Sequence, residues 1–115
     1  MRTPIAVASL VAITLACSSS SSNPTTASCY VAGQFICFED PNPTTTQASN
    51  LSVKCSSDSG QFLQPAGCPQ AGFLGKCTAT TSEGVEIQRF YTGADAAYQA
   101  DFCATVALGT WSTTF

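Results

Sequence analysis

The side chains with reactive or ligating chemistry are seven cysteines and seven carboxylates, and the chain has no histidine. Without imidazole the commonest general base and metal ligand is missing, and with it Ser-His-Asp catalysis, Cys-His catalysis and most zinc sites. The cysteines stand at Cys17, Cys29, Cys37, Cys55, Cys68, Cys77 and Cys103, and from Cys29 onward their closest spacings are eight, nine and thirteen residues. None of these is the Cys-x-x-Cys spacing of a metal clip or a redox dithiol. Glu39 and Asp40 lie beside Asn42. They form an oxygen set suited in kind to Ca²⁺ but without the ordered spacing of a calcium loop, and they read as a solvated turn after a strand. Glu83 and Glu86 flank a hairpin turn, Asp95 sits near a helix start where its charge favours the dipole, and Asp101 reads as a solvated helix position. A hydrolase using paired carboxylates would need a cleft in which two of them face each other. No phosphate-cradling glycine loop or nucleophile elbow is present. The expectation is therefore no catalytic residue, no metal, no cofactor and no enzymatic activity.

The chain has 115 residues, 4 basic and 7 acidic side chains and a net charge of −3, which allows one domain and no phosphate-binding surface. Nucleic acid is excluded as a partner on that ground. Hydrophobic residues are 44% of the chain and aromatics 10%, enough to fill a small core.

Residues 1–16 begin Met-Arg-Thr-Pro and continue as an apolar run of 12 residues ending at Ala16. That is the length of a signal-peptide core and too short to span a bilayer as a helix. Ala16-Cys17 is followed by serines from Ser18 to Ser22. This arrangement resembles the lipobox of bacterial lipoprotein precursors, in which a small residue precedes the cysteine that is lipidated and becomes the new N-terminus. The resemblance covers only the N-terminal segment. It implies a lipid anchor on Cys17, with the membrane as partner. Ser18, where some members carry an inner-membrane Asp, implies the outer membrane. Thr14 and Leu15 stand in the reverse of the family's usual order, so ordinary cleavage near Ala16 or Ser18 and an extracellular protein remain the alternative.

Residues 17–27 are serine, threonine, proline, asparagine and alanine after the cysteine and read as a lipidated Cys with a disordered tether. The folded domain is expected over residues 28–115. It holds the other six cysteines, an even set that reads as three disulfides in an exported protein. Each is expected to stabilise by about 2–4 kcal/mol. In a domain of 88 residues, only marginally stable on its core alone, that decides whether it folds.

Residues 29–32 and 35–39 read as a hairpin, 45–54 as a weak helix and 61–63 as a short apolar strand. The loop at 64–72 is rich in proline and glycine. Residues 73–80 and 85–92 read as a second hairpin around Ser82-Glu83-Gly84, and 94–108 as a helix stopped by Gly109. Ala94, Tyr98, Phe102, Cys103 and Val106 form that helix's expected core stripe. Arg89, Phe90, Tyr91, Tyr98, Trp111 and Phe115 read as core rather than as a binding patch. Residues 110–115 form the expected last strand. Cys29 to Cys55 and Cys77 to Cys103 each span 26 positions, and each second cysteine is followed by Gly-x-aromatic, Gly60-Gln61-Phe62 and Gly109-Thr110-Trp111. Both halves then read hairpin, helix, short strand. If the halves are related, Cys29–Cys55 and Cys77–Cys103 pair and leave Cys37–Cys68, one of fifteen possible connectivities.

The fold class expected is a small disulfide-rich α+β domain with two β-hairpins and one or two short helices, as a pseudo-duplicated unit. The function expected is that of a small membrane-anchored exported lipoprotein with a structural or binding role toward an unknown protein or glycan. The alternatives are a freely secreted cysteine-rich ligand or protease inhibitor, and an enzyme using paired carboxylates.

Overall fold

The computed structural model describes residues 25–115. The expectations for the signal segment, for Cys17 and for most of the tether lie outside those residues. Six strands, β1 (Ala27–Val31), β2 (Ile36–Asp40), β3 (Gln61–Leu63), β4 (Phe73–Thr81), β5 (Gly84–Tyr91) and β6 (Thr110–Ser112), form one antiparallel sheet in the order β3-β1-β2-β5-β4-β6. Helix α1 (Thr45–Ser57) follows the first hairpin and α2 (Ala96–Thr105) follows the second. The architecture is a small disulfide-rich α+β domain.

The two halves repeat one plan. In each, a hairpin is followed by a helix and then by a short strand that pairs with the hairpin's first strand: β3 on β1, β6 on β4. The second strands, β2 and β5, join the halves. One row of register partners crosses all six strands as Phe62, Cys29, Phe38, Gln88, Cys77 and Trp111. Read from either edge it runs aromatic, cysteine, central residue, so a pseudo-twofold axis passes between Phe38 and Gln88. Cys29 is bonded to Cys55 near the end of α1, and Cys77 to Cys103 near the end of α2. Because both strand cysteines lie in that row, both helices pack on the same face of the sheet.

Helix α1 forms despite poor intrinsic propensity because its start is doubly capped. The Gln47 N–H donates to Thr44 Oγ1 at 3.1 Å, and the Thr44 N–H donates to Gln47 Oε1 at 2.9 Å. Leu51 and Cys55 then pack with Ala27, Cys29, Val31 and Phe38 in the first core cluster. Cys77, Phe90 and Cys103 form the matching cluster under α2, and Ile36 touches both.

The third disulfide, Cys37–Cys68, lies outside the repeat and pins the 64–72 loop to the opposite face of the sheet. There Cys37, Cys68 and Tyr91 are buried with Tyr30 and Phe73 against them. The pairing is thus the one that the repeat implies.

Five expectations need correction. The last strand, expected over residues 110–115, ends at Ser112, where its pairing with β4 stops. Thr26 and Ala27, expected in the tether, belong to the fold: both are buried, Ala27 pairs with Asp40, and the Ala66 N–H donates to the Thr26 carbonyl. Helix α1 runs three residues further than expected, to Ser57, and α2 is shorter at both ends. The expected stripe on α2 does not face the core: Tyr98, Phe102 and Val106 are 60%, 40% and 62% exposed, and only Cys103 of the helix is buried. Glu39 and Asp40 are not a solvated turn: they end β2, which pairs with β1 and β5, and Arg89 and the Cys68 loop cover Glu39 on one face while Asp40 is buried beside α1 on the other.

Candidate functional site

On the helix-free face, Glu39 accepts hydrogen bonds from the Arg89 guanidinium and from the Cys68 N–H. Arg89 also donates to the Phe115 carbonyl at 3.0 Å and lies over the Phe115 ring. The Tyr91 hydroxyl donates to the Pro69 carbonyl at 2.8 Å, and burial pushes its ionisation up against the opposing pull of Arg89. Every group here has a partner inside the protein except Arg89 Nε, and the cluster is closed over by the 64–72 loop and the C-terminal residues. Its work is structural.

The helix-bearing face is different. Alternation along β2 and β5 places Ile36, Phe38 and Asp40 on it from one strand, and Glu86, Gln88 and Phe90 from the other. On one side of the pseudo-twofold axis the register partners Ile36 and Phe90 make an apolar contact between the halves. The symmetry-related positions on the other side are Glu86 and Asp40. Two carboxylates therefore occupy the places that two apolar side chains occupy across the axis.

Around them is an open cavity of about 260 Å³. The first half supplies Asp40 from β2 and Gln47, Asn50, Leu51 and Lys54 from α1. The second half supplies Thr81, Ser82, Glu83 and Glu86 from the β4–β5 hairpin end. Asp40 is 6% exposed and has no hydrogen-bond or ion-pair donor among the described residues. Burial, reinforced by Glu86, Glu83 and Glu39 and opposed by Lys54, pushes its carboxyl up to about 6. Lys54 does not ion-pair with it; its ammonium sits 3.6 Å above the Phe38 ring centroid.

The carboxylates singled out from sequence are thus sorted by the fold. Asp40, Glu83 and Glu86 come together, Glu39 turns to the other face, and Asp95 caps α2 by accepting from the Tyr98 N–H at 3.1 Å. Asp101 is exposed. Lys54, Asn50 and Gln47 were not among the candidates. The signal that finds this site is the repeat itself: aligning the halves sets Asp40 against Phe90 and Glu86 against Ile36. Among the described residues no three Cys, Asp or Glu side chains converge as a metal site, and no helix is long and apolar enough to cross a membrane.

The fold and cavity define a disulfide-stapled α+β domain with an acidic pocket at the junction of two pseudo-equivalent halves. Compared with known proteins, the chain matches no family model, no curated protein and no solved structure.

Proposed function

We propose that the protein is a small exported lipoprotein, held at the cell envelope by acyl chains on Cys17 and presenting the domain as a binding module. The observation that carries this reading is the cysteine pairing. All six cysteines of the domain are used in three mutual disulfides, which suits an oxidising compartment and leaves Cys17 as the one cysteine with no cysteine partner. The lipobox-like segment before Cys17 supplies a use for it, and the serine tether supplies reach. An outer-membrane address follows from Ser18 on the same resemblance. A binding role is favoured over catalysis because no hydroxyl or amine of the cavity wall, Thr81, Ser82 or Lys54, is hydrogen-bonded to one of its carboxylates as a nucleophile is to its base.

A second reading has one observation behind it. Asp40 and Glu86 at neighbouring strand ends, with the Asp40 carboxyl raised to about 6, resemble in outline an acid and base pair. Turnover of aryl glycosides abolished by both Asp40→Asn and Glu86→Gln would establish it.

The anchor is tested by metabolic labelling with a fatty acid and by the mass of the mature N-terminus. Label on the wild type and none on Cys17→Ser is the expected result. Equal labelling of both, or a free unmodified N-terminal amine, overturns the anchor and leaves a secreted protein.

A further inference from the structure

We infer that the cavity between α1 and the β4–β5 hairpin end binds a small organic ammonium ion, with Asp40 as the carboxylate that anchors it. The inference rests on the binding-module reading and names the ligand class for that site.

The first ground is a carboxylate that opens onto the cavity from a buried residue and has no donor among the described residues. A carboxylate taken out of water is costly unless it is paired or hydrogen-bonded. Asp40 is 94% buried by area, its carboxylate oxygens face the cavity rather than the closed interior, and no described residue donates to it. The protein's other buried carboxylate, Glu39, shows what the fold does when it intends a closed structure: it supplies a guanidinium and a backbone N–H. The second ground is position. Phe90, the counterpart of Asp40 across the axis, is buried against Trp111 with ring centroids 5.8 Å apart. An apolar residue is therefore accommodated at this place in the fold, and the acid is not a requirement of the architecture. The third ground is the field. Glu83 and Glu86 add like charge around Asp40, which raises the free energy of the empty site and lowers that of a site holding a cation.

The same residues narrow the kind of cation. Asp40, Glu83 and Glu86 share the cavity but, among the described residues, do not close in as a metal-holding group, so the six to eight oxygens of a Ca²⁺ shell are not assembled. An ammonium group needs fewer, since three N–H donors are met by Asp40 with the carbonyl and hydroxyl oxygens of Asn50 and Ser82 in the wall. Leu51 offers an apolar wall to a short carbon chain. Lys54, engaged on Phe38 at the rim, is the resident cation that such a ligand must outcompete.

The test is a titration of the mature, disulfide-intact ¹⁵N-labelled protein with 1,4-diaminobutane at pH 7.5, following the backbone amides of Asp40, Asn50, Ser82 and Glu86. Saturable shifts confined to these residues are expected, with none from 1-butanol. Asp40→Asn is expected to weaken binding at least about tenfold, Glu86→Gln less, and Lys54→Met to tighten it. At pH 5, with Asp40 titrating near 6 among Glu86, Glu83, Glu39 and Lys54, binding is expected to weaken about tenfold. Calcium chloride shifting these amides where the diamine does not would overturn the inference in favour of a metal. Shifts from N-acetylglucosamine but not from the diamine overturn it too and leave the binding reading standing. Equal diamine binding by wild type and Asp40→Asn, or no perturbation by any probe, also refutes it.

Discussion

Gly60 and Gly109 hold the same post in the two halves of the domain. The Gly60 N–H donates to the Cys55 carbonyl and the Gly109 N–H to the Cys103 carbonyl, both at 2.8 Å. Each sits against its own half's disulfide. A Cβ on Gly60 would lie 2.7 Å from Cys29 Sγ, and one on Gly109 2.8 Å from Cys77 Sγ. The absence of a side chain lets the chain turn off the helix, pass the disulfide and enter the edge strand. It is close approach, not an unusual backbone angle, that calls for glycine at both places.

Gly60→Ala and Gly109→Ala are each expected to destabilise the protein by about 1–3 kcal/mol, the range for overpacking a closed interior. Gly109→Ala should be the worse. Its added Cβ would also meet the Thr78 backbone carbonyl at 2.7 Å, whereas Gly60 meets only side-chain atoms. Gly33→Ala, with nothing within 4 Å, is the control. Urea midpoints for the three variants check this; a loss at Gly33 equal to that at Gly109 would refute the close-approach account.

Arg89 and Glu39 predict a different asymmetry. Both are largely buried, and Arg89 further holds the C-terminal carbonyl of Phe115 while Glu39 holds the Cys68 N–H. Removing one partner leaves a buried charge, so Arg89→Met or Glu39→Leu is expected to cost about 3–5 kcal/mol. The double variant is expected to recover much of the loss, because the two desolvated charges go together. A double-mutant cycle from denaturant unfolding measures it, and strictly additive losses would rule out coupling.

Much of this was legible in the sequence, and the failures have definite causes. The two 26-residue cysteine spacings and the two Gly-x-aromatic segments led to the pairing and to the pseudo-duplicated order of elements. Residues 61–63 form an edge strand as their composition suggests, and the last strand, expected over 110–115, pairs only over 110–112. The α2 stripe failed because hydrophobic size was read as depth. The Cys77–Cys103 bond holds the helix with Cα atoms 5.7 Å apart. At that approach only small residues pack on the cluster from this segment, Ala94 and Ala107 at either end of the helix, and Tyr98, Phe102 and Val106 are left outside. Asp40 reads with Glu39 as a solvated turn because Pro41 follows it, and Glu86 reads only as a strand residue flanking the hairpin turn at Gly84. Local turn chemistry carries no information about which distant helix covers a strand end.

The three disulfides are expected to differ in what they hold, not in how much. Their sequence separations of 26, 31 and 26 differ too little for loop entropy to distinguish them, so each removal should cost about 2–4 kcal/mol. Cys29→Ala/Cys55→Ala should release α1, and Cys77→Ala/Cys103→Ala should release α2, because helices of 13 and 10 residues are marginal when undocked. Cys37→Ala/Cys68→Ala should leave both helices in place and free the 64–72 loop. Amide hydrogen exchange distinguishes these outcomes. Loss of protection in α1 or α2 on removing Cys37–Cys68 would show that the third bridge is not confined to the loop.

Asp40 predicts an unusual dependence of stability on pH. Its carboxyl is raised in the folded protein from 3.8 to about 6, first by burial and then by Glu86, Glu83 and Glu39. Between those values the folded state binds a proton that the unfolded state does not. Unfolding then releases a proton, so stability falls as pH rises from about 4 to about 6 and levels off above about 7. The wild type should therefore be less stable at pH 7.5 than at pH 5 as far as Asp40 governs it. Asp40→Asn removes that proton from both states, and it should flatten this part of the curve and stabilise the protein at neutral pH by up to about 3 kcal/mol. Urea midpoints of both proteins from pH 4.5 to 7.5 provide the comparison. Parallel curves would mean that the acid has a donor in solution and that the site is closed.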